Sequence, residues 1–197
     1  MINLAKRNFF ASLICASFVL FFFGQLFTNA AIAQRPYEFL VVGDSLVWGQ
    51  GLEEKDKFYT LTYDWLRTQA FGDPRDVHLT VKAHSGSTVK FHPDEAEKYR
   101  KAGRDETFFF KPEVNVSFPS SLKQIEVASD EYRAAGKSGA DLIMITGCIT
   151  DITTSRVYDP KGDDDALRRE AQQYCRDDMY DVLERAAELH TNALIDL

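Results

Sequence analysis

Apolar positions along the chain recur with two different periods, and the periods alternate. Phe39-Leu40-Val41-Val42 is a short unbroken apolar run, the pattern of a strand buried on both faces of a parallel sheet. Phe58, Leu61, Trp65 and Leu66 then fall at helical spacing in a segment from about 56 to 70. Val77, Leu79 and Val81 alternate with polar residues and predict a second strand. Ser121-Leu122-Lys123-Gln124 fits a capping box, and Leu122, Ile125 and Tyr132 carry a helix on to about 135, where Gly136 and Gly139 close it. Leu142-Ile143-Met144-Ile145 reads as a third buried strand. Leu167, Ala171, Tyr174, Cys175, Val182, Ala186 and Leu189 line one face of a long helix, and Ala193-Leu194-Ile195 opens a fourth strand. This alternation predicts an α/β domain, a parallel sheet with helices on both faces. Ligands of such sheets sit beyond the carboxyl ends of the strands. Ser45, Gly86 and the segment Gly147 to Asp151 all follow strand ends, so three separated segments are expected to converge on one crevice.

The first 33 residues read as something other than domain. Lys6 and Arg7 make a basic n-region, residues 9–23 an apolar h-region, and Ala31-Ile32-Ala33 a small-x-small cleavage pattern. A signal peptide cleaved before Gln34, with the product secreted or periplasmic, is the expectation. An uncleaved anchor is the competing reading, but Gly24, Gln25 and Asn29 interrupt the apolar stretch before the roughly 20 residues a span needs. Cys15 is a filler of the h-region. Residues 34–197 remain as one domain of ordinary globular composition.

Charge narrows the partners. Taking Lys6 and Arg7 from the 23 basic residues leaves 21 against 30 acidic ones, a net charge of −9. Such a surface is repelled by phosphate backbones and anionic lipid, so nucleic acid is not an expected partner, and membrane contact is expected only through an uncleaved signal segment. The two remaining cysteines, Cys148 and Cys175, can pair in an oxidising compartment, although Cys175 on an apolar helical face also reads as a buried free thiol. The four histidines are scattered and no Cys-x-x-Cys is present, so neither a metal site nor a cofactor is expected. Asn115-Val116-Ser117 is a glycosylation sequon. Lys90 to Glu113 is long for a strand-to-helix connection; its charged stretch predicts a helix, and Phe108-Phe109-Phe110 reads either as a lip for an acyl chain or, as favoured here, as an aromatic plug into the core.

The candidate chemistry centres on Ser45. A serine at a tight turn after a strand has an exposed hydroxyl, and backbone amides beside it suit a developing oxyanion. The bland alternative is that Asp44 and Ser45 only cap the next helix. The motif is not the Gly-x-Ser-x-Gly elbow, because Val47 takes the last position. However, Val41 to Gly49 (VVGDSLVWG) resembles the first block of the GDSL, or SGNH, hydrolases. Ala83-His84-Ser85-Gly86-Ser87 resembles their second block, and Asp141 to Ile152 (DLIMITGCITDI) their third. Ser117-Phe118-Pro119-Ser120 before a helix resembles a subgroup of the same family. The resemblance implies a flavodoxin-like sheet and a hydrolase acting on carboxylic esters, with a small-molecule, glycan or lipid ester as substrate. It implies Ser45 as nucleophile, the amides of Ser45 and Gly86 as oxyanion donors, and Asp44 and Asp151 as residues that shape their loops.

Two departures from that pattern bear on activity. Thr150 stands where the family has an asparagine whose side chain is the third oxyanion donor. Its hydroxyl is a candidate for that role, but it is one bond shorter and a local carbonyl competes for it. One such donor is worth on the order of 10²–10³ in kcat. The family's base comes from an Asp-x-x-His block beyond a fifth strand, and the chain reaches Asp196-Leu197 without one. The expectation is therefore a domain lacking its last strand and C-terminal block, inactive or weak as it stands, with a non-catalytic relic or carbohydrate-binding module as the alternative. Of the histidines, His78 falls within the second strand, His92 in the long connection and His190 at a helix end, where solvent is expected to reach it. Only His84, two residues before Gly86, is near a catalytic block; it is the one candidate for a substitute base, but the favoured reading is that it hydrogen-bonds to backbone and positions the loop.

Overall fold

A computed structural model describes residues 35–197 apart from Asp73 and Glu106. The expected signal segment, residues 1–33, lies outside the described residues. Among these, no helix is long and apolar enough to cross a membrane. Residues Pro36–Leu197 form one unit.

Four strands form one parallel sheet: β1 (Tyr37–Val42), β2 (Val77–Val81), β3 (Leu142–Ile145) and β4 (Leu194–Asp196), in the order β2-β1-β3-β4. That order is the first four positions of the flavodoxin-like arrangement. Between β1 and β2 lie α1 (Ser45–Trp48), a 3-10 turn at Glu54–Asp56 and α2 (Phe58–Thr68). Then come α3 (Pro93–Lys101), α4 (Ser121–Ala134), the two short helices α5 (Ile149–Ile152) and α6 (Thr154–Val157), and α7 (Asp164–Ala171). A π-helical stretch, Gln172–Asp178, joins α7 to α8 (Met179–Leu189). The long amphipathic helix expected from 167 to 189 is therefore a continuous rod with one widened turn in it.

The expected α/β architecture is the observed one, and β1 shows why. Its side chains alternate between two cores. Leu40 and Val42 pack with Ile143 and Ile145 under α4 and α8, through Ile125, Ala128, Met179, Val182 and Ala186. Phe39 and Val41 pack on the other face with Val47, Tyr59, Leu66 and Val77. A central strand covered on both sides has no polar face, so its sequence is an unbroken apolar run.

Three local readings need correction. The cap of α4 is Ser120, whose hydroxyl accepts from the Lys123 amide at 3.3 Å; Ser121 is already helical and Gln124 is not a capping residue. His190 is buried, not solvated: its Nδ1 accepts from the Ala140 amide at 3.1 Å and its ring meets Tyr132 edge-on. Cys175 is not a free thiol but is disulfide-bonded to Cys148, with the two Cα atoms 5.0 Å apart. The aromatic segment plugs the core in part. Phe110 lies edge-on to the buried Phe118, Phe109 sits beneath the Lys82 ammonium, and Phe108 stays partly exposed.

The buried histidines give the fold a pH dependence. Burial pushes His84 and His190 below their ordinary value of 6.5. The unfolded chain therefore takes up protons first, and the stability due to the neutral rings is lost as pH falls below about 6.5. Asp44 and Asp151, raised by burial, work in the opposite direction. A comparison with His190→Gln isolates the histidine contribution, because glutamine keeps an acceptor for the Ala140 amide but cannot charge. Between about pH 7.5 and 5.5 the wild-type urea midpoint is expected to drop further than that of the variant. Equal drops would show that His190 contributes nothing.

Candidate active site

The carboxyl ends of β1, β2 and β3 point the same way, and the three segments that leave them meet. The β1 exit turns at Gly43, whose φ of +134° is open to glycine and closed to most other residues. Asp44 caps α1: its Oδ1 accepts from the Leu46 amide at 2.9 Å and from the Thr146 hydroxyl at 3.0 Å. Ser45 is the first helical residue and is half-buried.

The β2 exit follows β1 closely. Lys82 and Ala83 donate their amides to the Val41 carbonyl and His84 donates its amide to that of Gly43, at 2.8, 3.2 and 2.9 Å. This holds the Ser85-Gly86 turn beside the β1 exit. Gly86 has φ +84°, and a Cβ there would come within 2.7 Å of the Val116 amide nitrogen. The β3 exit runs through Thr146 and Gly147 to Cys148, a non-glycine residue at φ +76°, which starts α5 and carries the disulfide.

Ser45, Gly86 and Thr150 line one open cavity of about 300 Å³, together with Gln50, Asn115 and Ile149. Among the described residues the amides of Ser45 and Gly86 have no hydrogen-bond acceptor. Two such donors beside a serine hydroxyl can hold a carbonyl oxygen as it gains charge. Thr150 differs. Its hydroxyl is donated to the Ser87 carbonyl and so is not offered to the cavity.

Asp151 lies behind the cavity with its carboxylate fully enclosed. Both oxygens accept from the Val89 amide, at 3.2 and 3.1 Å, and His92 Nε2 stands 3.4 Å from Oδ1. Burial pushes this carboxyl up to about 6, against the opposing pull of the Val89 amide and His92. Asp151 thus ties the third segment to the start of the long connection.

No histidine lines the Ser45 cavity among the described residues. His84 is buried, its Nδ1 is hydrogen-bonded to the Ser85 carbonyl at 2.9 Å, and it makes no hydrogen bond to Ser45. His92 pairs with Asp151, and His78 with Glu38 at 3.1 Å.

Gln124 organises the site, although the sequence reading spent it on a cap. It is wholly buried. Its Oε1 accepts from the Gly43 amide at 2.8 Å, and its Nε2 donates to the Gly43 carbonyl at 3.1 Å and to Ser87 Oγ and the Pro119 carbonyl, each at 2.9 Å. One carboxamide thereby joins the Ser45 turn, the Gly86 turn and the start of α4. The available signal was a lone glutamine on the apolar face with Ile125, Ala128 and Tyr132. Gln124→Leu strands several buried polar groups and is expected to cost about 2–5 kcal/mol. Urea denaturation of wild type and variant measures this; a loss within about 0.5 kcal/mol would refute the hub.

No family model and no curated protein matches the chain. It is similar in structure to the lipase Lip_vut3 from a goat rumen metagenome, at 20% identity, 81% coverage of this chain, 61% of that one and a TM-score of 0.47. It is also similar to AlinE4, an SGNH-hydrolase family esterase, at 12% identity, 82% and 76% coverage and a TM-score of 0.39. The chain spans about three-fifths of the length of the lipase. The α/β assignment rests on the sheet itself.

Proposed function

We propose that the chain is an exported serine ester hydrolase of the GDSL/SGNH type, acting on carboxylic esters through Ser45. The observation that carries this is one cavity bearing the Ser45 hydroxyl with two unpaired amides, those of Ser45 and Gly86. In the reaction Ser45 Oγ bonds to the acyl carbon and loses its proton to a base. The carbonyl oxygen gathers charge against the two amides, and the alcohol leaves with a proton. Water then cleaves the acyl-serine, giving the acid and restoring the hydroxyl. Export is supported by the N-terminal signal pattern and by the paired cysteines, since disulfides persist in oxidising compartments.

A second reading has its own observation. With no histidine at the cavity among the described residues, the same crevice serves a non-catalytic binding module. Free imidazole separates the two, because it supplies a diffusible base to a cavity open to solvent. In imidazole buffer an aryl acetate is expected to acetylate Ser45, detected by peptide mass spectrometry and absent in Ser45→Ala. Adducts confined to lysines would sink the nucleophile assignment.

A further inference from the structure

We propose that the Ser45 cavity takes a short-acyl ester of a neutral polyhydroxylated alcohol, an O-acetylated sugar residue, with Gln50 and Asn115 reading its hydroxyls. This rests on Ser45 being the reacting group and adds the substrate class to it.

The lining is polar and uncharged. Gln50, Asn115, Thr150, Thr153 and Thr154 surround Ser45, and no charged side chain lines the cavity. A carboxylate, ammonium or phosphate on a ligand would enter without a counter-charge, and the chain's formal charge of −7 further repels anions. Thioesters carried on polyphosphate groups are thereby disfavoured.

The hydrogen-bonding capacity that remains suits a polyol. Among the described residues, the Gln50 and Asn115 carboxamides have no protein partner. Each presents two N–H donors and a carbonyl acceptor on one rigid plane. Adjacent sugar hydroxyls present a donor and an acceptor at the same spacing, so each amide can pair with both.

Long acyl chains lack a path. Ile149 is the one large apolar side chain of the lining. The apolar groove of the molecule, formed by Leu46, Val47, Phe58, Met144 and Ile145, shares no lining residue with the Ser45 cavity. Phe110 packs edge-on to Phe118 and does not line the Ser45 cavity. A cavity of about 300 Å³ is also at the small end for organic ligands, about 300–1,000 Å³, enough for one sugar ring and its acetyl group.

Saturation-transfer NMR on the full chain tests this without turnover if Ser45→Ala is used beside wild type. The probes are methyl 2-O-acetyl-β-xyloside, which keeps adjacent free hydroxyls, methyl octanoate and acetyl coenzyme A. The xyloside is expected to bind, and Gln50→Leu and Asn115→Leu are each expected to weaken it about three- to tenfold. Both positions are exposed, so thermal melting should confirm unchanged folding. Equal or tighter binding of the octanoate or the coenzyme A ester overturns the assignment, as do leucine variants that bind like wild type. Xyloside binding without any acetylation of Ser45 supports the ligand class and removes the nucleophile. Acetylation of Ser45 by an aryl acetate with no xyloside binding removes the ligand class and leaves the nucleophile.

Discussion

Assayed without added base, the chain is expected to hydrolyse p-nitrophenyl acetate at the buffer rate, and Ser45→Ala is expected to leave that rate unchanged within about twofold. The argument is geometric. A serine hydroxyl is a weak nucleophile until a base within about 3.2 Å removes its proton, and loss of that base costs on the order of 10⁶ in kcat. No histidine is hydrogen-bonded to Ser45, and none lines its cavity among the described residues, although the buried Nε2 of His84 has no partner. His84 holds the Ser85 carbonyl, His190 accepts from Ala140, His92 faces Asp151 and His78 faces Glu38. Burial also disfavours a proton on His84, which a base must carry in the transition state. With Thr150 donating to Ser87, only the two amides remain, and these give modest rate gains by themselves. Initial rates for the chain, Ser45→Ala and His84→Ala decide the matter. A robust rate that disappears in both variants would establish His84 as the base after a local rearrangement.

The second large effect is expected from a single methyl group. In Gly43→Ala the new Cβ falls on the Thr146 carbonyl oxygen and within 2.9 Å of the Thr146 nitrogen. Neither can swing away, because the Thr146 amide is hydrogen-bonded to the Val42 carbonyl where β1 pairs with β3. The backbone at φ +134° is also unfavourable for alanine. The sheet must separate at its central pair, just below Ser45, and a loss above about 4 kcal/mol or failure to fold is expected. Gly136→Ala serves as the comparison. It has φ +69° but open space around it, so about 1–2 kcal/mol is expected. Thermal or urea unfolding of the pair tests this. Similar losses at both positions would show that conformation alone, and not the contact with Thr146, explains Gly43.

The fold was legible because its strands are buried on both sides. Phe39 to Val42 and Leu142 to Ile145 could only be central strands, and the loops after them had to share one end of the sheet. The meeting of Ser45, Gly86 and Thr150 followed from that geometry together with the family resemblance. What escaped was everything decided by a partner far away in sequence. Gln124 looks like a helix-start residue until Gly43 and Pro119 are placed beside it. His190 looks solvated at a helix end until Tyr132 and the Ala140 amide close over it. The Thr150 hydroxyl was a candidate donor on chemistry alone, and the Ser87 carbonyl took it. Local pattern reports the period of an element but not which distant polar group reaches it.

The link between Cys148 and Cys175 has a practical consequence for how the chain is made. It closes a loop with a sequence separation of 27, and in the chain-entropy view a loop of that size is worth about 3–4 kcal/mol. Cys148 also holds the left-handed backbone position from which Thr150 and Asp151 are presented. Material produced in a reducing cytosol would therefore be a different preparation from material exported to an oxidising one, less stable overall and with the third wall of the Ser45 cavity untethered. An expression host chosen for yield alone would set the outcome of each assay described above before any substrate was added.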